Sequence, residues 1–403
     1  MNPSIKKLAR IAEKESRTVL GLMSGTSLDG LDIALCEIEG SGPETEVSLL
    51  QFMTKPYLKK DREKLRKVTS VEQVSLKELC YVHTWLGQLH ADMIVEALFE
   101  WNIKPEKVDC IGSHGQTIYH LPNRDLNGEE TPLNSTLQIG DGDHIAVNTG
   151  IFTVSDFRQK HTAFGGEGAP MAPLVDEWLF SDKKEHRILL NIGGIANYTF
   201  MPALEETGLK KLSTDTGPGN TLIDAVVKSG FGKPFDKGGK IASSGNVIKP
   251  LLNKMLEDEW FKGAEEKSTG PEYFNLKWIR EKEDLAGFSG SDISDKDMVA
   301  TVTELAARTI AESIQNHTPE GLPMVIYPSG GGAHNGYLMK RIKNYLDQIE
   351  VRPFTELGFS PDAKEAVIFA VLANETLAGK GFNFSTKYGS DQNVHFGKIS
   401  FPG

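Results

Sequence analysis

Thr18-Val19-Leu20-Gly21-Leu22-Met23-Ser24-Gly25-Thr26-Ser27-Leu28-Asp29-Gly30-Leu31-Asp32-Ile33-Ala34-Leu35-Cys36 reads as two apolar strands joined by a loop of small and polar residues. Residues 18–22 form a short apolar run, and Leu31, Ile33 and Leu35 then alternate with Asp32, Ala34 and Cys36, the period of two that a strand requires. The pattern predicts a hairpin with residues 23–30 at its tip. Small residues there let backbone amides approach phosphate oxygens, the hydroxyls of Thr26 and Ser27 add donors, and the Asp29 carboxylate can orient a magnesium-bound water. An ordinary hairpin turn with a side-chain cap has the same composition, so both readings stay open for this stretch alone.

Working outward, residues 76–101 carry helical periodicity through Val82, Trp85, Leu86, Leu89 and Ile94, and residues 108–113 read as a buried strand, which together predict an α/β layer. A second hairpin follows at residues 188–200, where an apolar strand meets the turn Gly193-Gly194 and runs back from Asn197. Two similar halves, each presenting a hairpin to one ligand, would produce this pattern. Further on, residues 299–317 predict a helix, 324–327 a strand, 338–345 a helix, 363–377 a long apolar helix, and 394–401 an alternating last strand. A chain of 403 residues exceeds the roughly 100–200 of one domain. We expect a first α/β domain over residues 1–150, joined by a return strand within 388–403, and a second over 151–387, with a site in the cleft between them.

Composition narrows the function. The formal charge of -11 disfavours a nucleic-acid surface, which needs a basic face. Anionic small ligands remain compatible, because backbone amides and a metal can hold them. Cys36, Cys80 and Cys110 are the three cysteines, without a CxxC spacing, and fit a reducing compartment. Residues 1–17 place Ile5, Leu8, Ile11 and Ala12 at helical spacing with no apolar run of signal-peptide type, and no later stretch approaches the roughly 18–20 apolar residues of a membrane span. The expected location is the cytoplasm.

There is no GxxxxGK[ST], HExxH, GxSxG or GxGxxG pattern. Asn191, Gly193, Gly194 and Asn197 of the second hairpin could grip a phosphate chain, or form a plain tight turn. Gly330, Gly331 and Gly332, ahead of Asn335, could let an adenine or ribose lie against bare backbone at a strand-to-helix junction, though glycine loops before helices are common. Asp215 stands just before the loop Gly217-Pro218-Gly219-Asn220 and is either a base beside a substrate or a helix cap. A polar, glycine-bearing cluster lies between the halves: His114, Gln116 and Thr117, then Gln138 and Asp141, then Asp156 and Arg158, then Glu167. Amide, imidazole, carboxylate and guanidinium groups bind sugar hydroxyls and carboxylates directionally, and scaffolding is the alternative.

Taken in order, these segments resemble the anhydro-N-acetylmuramic acid kinases. The matching stretches are GLMSGTSLDGLD from Gly21, SHGQTIYH from Ser113, QIGDG from Gln138, SDFR from Ser155, GGEGAP from Gly165, LNIGGIAN from Leu190, DTGPGN from Asp215, KSTGPEYFN from Lys267, SGGGAHN from Ser329 and KEAVIFA from Lys364. The resemblance implies a two-domain actin-like ATPase (ribonuclease H-like) α/β fold with ATP and sugar meeting in an interdomain cleft. It implies ATP contacts from Gly25, Thr26, Ser27, Leu28, Asp29, Gly30, Leu31 and Asp32 and from the two later glycine loops. It further implies magnesium near Asp29 through water, Asp215 as the base that activates water, Glu365 assisting at the same sugar, and a homodimer. The reaction implied opens the anhydro bridge and phosphorylates the released C6 oxygen, giving N-acetylmuramic acid 6-phosphate and ADP in cell-wall recycling.

Glu167 stands where the family often has glutamine, Pro271 where it commonly has arginine, and residues 1–17 and 123–134 look additional. Two alternatives remain: a kinase of another amino sugar, in which Asp215 deprotonates an ordinary hydroxyl, and a nucleotide-gated binding protein without turnover. A binding module has no need of two candidate bases, Asp215 and Glu365.

Overall fold

The computed structural model describes all residues except 123–132, 170, 263–268, 271–272, 289–291, 320 and 386–390. Its strands are β1 (Ser16–Ser24), β2 (Gly30–Glu39), β3 (Glu46–Pro56), β4 (Cys110–Leu121), β5 (Ser135–Ile139), β6 (Thr153–Ser155), β7 (His186–Ile192), β8 (Ile195–Met201), β9 (Leu212–Pro218), β10 (Met324–Ser329), β11 (Glu350–Val351), β12 (Phe382–Ser385), β13 (Asp391–Val394) and β14 (Lys398–Ser400). The chain forms two compact units, Met1–Leu179 with Gly358–Gly403, and Phe180–Leu357.

In the first unit the sheet runs β14-β6-β4-β1-β2-β3, with β5 added to β4. The hairpin read from residues 18–36 is β1 and β2, antiparallel, with Met23 opposite Asp32. β4 and β6 continue the sheet in parallel with β1. The helix Leu76–Glu100 forms as its periodicity predicts and buries Val82, Leu86 and Ile94 against Leu20, Leu22 and Ile111 of the sheet. Each fully buried side chain of this size contributes roughly 1.5–3 kcal/mol.

The expected boundaries at 150/151 and 387/388 fall inside this unit rather than at its edges. β6 pairs with β4 and β14, which ties residues beyond 150 to the first sheet. The apolar helix Lys364–Ala378 lies on β1 and β4 so closely that a Cβ at Gly21 would overlap the Ala366 carbonyl, and one at Gly112 the Phe369 carbonyl. The expected last strand, residues 394–401, divides into β13 and β14, because Gly397 turns the chain at φ +95.

The second unit repeats the plan. Its sheet runs β9-β8-β7-β10-β11, with β7 antiparallel to β8, β8 antiparallel to β9, and β7, β10 and β11 parallel. Counted within each unit, the core order is 3-2-1-4-5 with the second strand reversed, the ribonuclease H-like topology, present twice as actin-like ATPases require. The helix Asp295–His317 forms the centre of this core, burying Val299, Val302, Leu305, Ala306 and Ile310 with Ile188, Leu190 and Ile192. Among the described residues no helix is long and apolar enough to cross a membrane.

Candidate active site

In the first unit the tip of the β1–β2 hairpin is a turn closed by Leu28 N–H donating to the Gly25 carbonyl at 3.2 Å. Leu28 adopts a left-handed φ of 56, which is costly for a branched residue, and its side chain is buried in the core as the compensating anchor. That plug leaves Thr26, Ser27 and Asp29 exposed and Gly25 partly exposed, with Ser27 Oγ donating to Asp29 Oδ1 at 2.6 Å. Gly30 and Leu31 begin β2 and are buried, so only their backbone is offered to a ligand. The Asp32 carboxyl accepts from Thr54 Oγ1, and burial, reinforced by the Asp29 and Asp362 carboxylates, raises it above the ordinary aspartate range. Among the described residues no group of three His, Cys, Asp or Glu side chains is arranged to hold a metal by itself.

A cavity of about 380 Å³ opens at the carboxyl end of β6, beside the first half of β4, and is lined by His83, Ser113, His114, Gln138, Asp141, Asp156 and Lys398. Four of these had been singled out from the sequence. Ser113 Oγ is buried without a hydrogen-bond partner among the described residues, and such a group is satisfied by water or a ligand. His114 is buried and neutral: its Nδ1–H donates to the Gly115 carbonyl at 2.8 Å while Nε2 accepts from Arg158 Nε–H at 3.0 Å. Burial and the Arg158 charge depress it to about 3. Its visible work is to aim Arg158.

Other residues of the cluster are occupied locally. Asp141 caps the helix Gly142–Thr149, accepting from Asp143 N–H and His144 N–H, and lies 3.4 Å from His83 Nε2. Gln116 is fully buried, accepting from Ser24 Oγ at 2.6 Å in a chain that continues to Tyr57 and His90. Thr117 Oγ1 accepts from Gln138 Nε2. Asp156 holds a left-handed φ of 57 ahead of the helix Phe157–Ala163 and pairs with Lys398 of β14. Glu167 is partly buried in a loop organised by His161, whose Nδ1 accepts from Gly168 N–H; burial lowers His161 below the ordinary histidine range, and the Glu167 carboxylate offsets part of that. Pro170 of the same loop lies outside the described residues.

Glu365 occupies the first turn of the helix Lys364–Ala378. Solvent reaches the side chain, yet protein crowds its carboxyl. Burial raises it above the usual range, with Asp32 and Asp176 adding to the rise and Lys364 and Arg158 opposing it.

In the second unit three loops interlock at the ends of β7, β9 and β10. Asn220 Nδ2 donates to the Ile192 and Gly193 carbonyls at 3.0 Å, and the amides of Gly219 and Thr221 donate to the Gly194 carbonyl. Gly332 sits on Ile192, where an added Cβ would lie 2.7 Å from Ile192 Cβ, so the third glycine of residues 330–332 is needed for packing. Gly194 and Gly331 keep open surroundings, whereas a Cβ at Gly193 would lie 3.3 Å from the Ile195 carbonyl oxygen. Asn335 is a helix cap, its Oδ1 accepting from Leu338 N–H.

Asp215 is not a cap. It lies within β9, and the following helix, Thr221–Phe231, is entered through Asn220. The strand register sets Ser329 beside Asn191, Asn191 beside Asn197, and Asn197 beside Asp215. Paired residues share a face, so these four form one polar row across four strands, opposite the face that buries Ile188, Leu190 and Ile192. Asp215 Oδ2 accepts from Thr269 N–H at 2.9 Å. Burial raises its carboxyl above the ordinary range and the Thr269 bond lowers it in part. A cavity of about 270 Å³ next to it is lined by Thr216, Trp260, Phe261, Lys262, Asn316 and His317 among others. Thr269 and Gly270 are the described part of the KSTGP stretch; Lys267, Ser268 and Pro271 lie outside the described residues.

A duplicated ribonuclease H-like unit with a glycine-bearing hairpin in each copy is the architecture of an actin-like phosphotransferase. The family model for anhydro-N-acetylmuramic acid kinase matches residues 17–402. A protein of Pseudoalteromonas atlantica named anhydro-N-acetylmuramic acid kinase is 45% identical over 404 residues, covering 100% of both chains. One of Caldanaerobacter subterraneus with the same name is 40% identical over 400 residues, covering 98% of this chain and 99% of that one. The chain belongs to the anhydro-N-acetylmuramic acid kinase family and is a kinase.

Proposed function

We propose that this chain uses ATP to phosphorylate anhydro-N-acetylmuramic acid while water opens the anhydro bridge. Water adds to the anomeric carbon and gives its proton to Asp215. The bond from that carbon to the bridging oxygen breaks. The released C6 oxygen takes the γ-phosphoryl group, and the bond from the γ-phosphorus to ADP breaks. The products are N-acetylmuramic acid 6-phosphate and ADP.

The observation that carries this reading is Asp215 itself: a carboxylate raised by burial, and so a stronger base, fixed by one backbone N–H on Oδ2. Glu365, also raised, is the second acid–base group proposed. Unpartnered Ser113 Oγ supports a sugar-binding role for the first unit's cavity, where His114, Gln138, Asp141 and Asp156 are further candidates, and Arg158, bonded to His114, is proposed to bind the sugar beside them. The exposed loop donors of Thr26 and Ser27, the open Gly194 and Gly331, and Gly193 beside them support contacts to the nucleotide.

Oxygen donors suit magnesium, and the Asp29 and Asp32 carboxylates suit an ion that arrives on the nucleotide and is held largely through water. Such an ion neutralises phosphate charge during transfer. A cytoplasmic location and the homodimer suggested by the family complete the proposal. The test is an ADP-release assay with mass analysis of the sugar product. A product heavier than substrate by one phosphoryl group plus one water supports the reading. Gain of a phosphoryl group alone refutes bridge opening.

A further inference from the structure

We infer that Asp258 is a positioning residue for Asp215, acting through Tyr273, whose backbone is bonded to Gly270, the neighbour of the Thr269 amide that orients the proposed base. Its kinetic consequence rests on the base role given to Asp215 above; its structural consequence does not.

Asp258 is 7% exposed, and both its oxygens are fully engaged. Oδ1 accepts from Trp260 N–H at 2.9 Å and Tyr273 Oη–H at 2.7 Å; Oδ2 accepts from Trp278 Nε1–H at 2.9 Å and pairs with Lys282 Nζ at 2.6 Å. Burial pushes this carboxyl up, but the bonds from Lys282, Trp260, Tyr273 and Trp278 outweigh it and bring it down to about 2. It is therefore an anion throughout the physiological range, and a poor proton acceptor. What it offers is geometry.

The partners lie on both sides of Thr269 in sequence. On the far side Tyr273 N–H donates to the carbonyl of Gly270, the residue next to Thr269, at 3.1 Å, and Thr269 N–H reaches Asp215 Oδ2 at 2.9 Å. On the near side Trp260 and Phe261 meet edge to face with centroids 5.3 Å apart, and Phe261 presses on the backbone beyond Asp215 so that a Cβ at Gly217 would lie 2.8 Å from its ring. Phe274, fully buried, packs against Trp260, Phe261, Tyr273 and Trp278 and joins the two sides. Lys282 alone would satisfy the Asp258 charge. The additional donors tie one carboxylate to the segments that flank Asp215, whose Oδ2 is held by the Thr269 amide.

The test uses the full-length chain carrying Tyr273→Phe, with Asp258→Asn as a second variant. Tyr273 is 42% exposed, so loss of its hydroxyl spares the fold. The readouts are titration of the Asp215 carboxyl by carbon NMR, assigned with Asp215→Asn, and the pH profile of kcat/KM. With the bond to Asp258 gone, position 273 holds the Gly270 carbonyl less firmly and the neighbouring Thr269 bond weakens, so the Asp215 titration and the acid limb both move to higher pH. One weakened hydrogen bond corresponds to a roughly three- to tenfold lower kcat, with KM for ATP unchanged. Asp258→Asn shifts both readouts in the same direction. An unmoved Asp215 titration in folded Tyr273→Phe overturns the inference, whatever happens to melting temperature or active fraction. If Asp215→Asn keeps its turnover, the base role fails instead, and the NMR titration alone still decides whether Asp258 positions Asp215.

Discussion

Replacing Asp215 with asparagine removes a negative charge and a proton acceptor while keeping the shape of the side chain. The Asn Oδ1 atom can still accept Thr269 N–H, the contact that Asp215 makes at 2.9 Å, so the β9 backbone and the cavity beside it should be preserved. The loss is then confined to general-base catalysis, on the order of 10²- to 10⁴-fold in kcat, or about 2.7–5.5 kcal/mol of barrier. Stability should move the other way. Burial raises the Asp215 carboxyl in the folded state, so the ionised form opposes folding at neutral pH, and the neutral amide removes that opposition. The assay is steady-state ADP release at saturating sugar, alongside nucleotide binding by calorimetry and thermal unfolding. The expected result is a collapse of kcat with ATP affinity within about twofold of wild type and a melting temperature equal or higher. Turnover within tenfold of wild type would remove Asp215 from the base role.

Gly332→Ala should cost about 1–3 kcal/mol of stability, because its Cβ would lie 2.7 Å from the buried Ile192 Cβ, and should weaken nucleotide binding as the loop at residues 330–332 is displaced; urea unfolding and calorimetry report both effects. Acid stability should fall early. His90 and His114 are depressed to about 3 from 6.5, so their neutral forms favour the fold fully above pH 6.5, and that contribution is lost as pH falls toward 3, at up to about 1.4 kcal/mol per pH unit for each histidine. A urea midpoint unchanged between pH 7 and pH 5 would contradict it. Arg158→Lys loses the planar fork that His114 aims, and should raise KM for the sugar roughly tenfold with a smaller effect on kcat, measured by initial rates across sugar concentration.

Local periodicity made the scaffold legible. Leu31, Ile33 and Leu35 alternate along β2 and pack into the first unit's core, and the helix Leu76–Glu100 repeats its apolar positions along one stripe, so both patterns survive in the chain itself even though Ala34 and Cys36 on the other face of β2 are buried as well. Composition misled where a strand is made of loop-like residues. Asp215-Thr216-Gly217-Pro218 looks like a turn, but pairing with β8 holds it as a strand, and only that register reveals the polar row shared with Asn197 and Asn191. Asn335 and Asp141 matched the expected motifs, yet their carboxamide and carboxylate oxygens serve helix caps, a role visible only once the donors are in place. Thr269 contributes a backbone amide, which has no side-chain signature, and Lys398 reaches Asp156 across 242 residues of sequence. Neither could be found by spacing. The unit boundary escaped for the same reason: the helix Lys364–Ala378 is joined to β1 by close backbone packing at Gly21, a contact between distant parts of the chain.

Coupling of bridge hydrolysis to phosphoryl transfer is what separates the proposed reaction from simple phosphorylation of an amino sugar. Incubating the protein with magnesium-ATP and anhydro-N-acetylmuramic acid in heavy-oxygen water, and locating label and phosphate in the product by mass spectrometry, tests it most directly. The account predicts one heavy oxygen at the anomeric hydroxyl and an unlabelled C6 oxygen carrying the phosphate. A phosphorylated product without label, or with ATP consumed only for a different amino sugar, would contradict it.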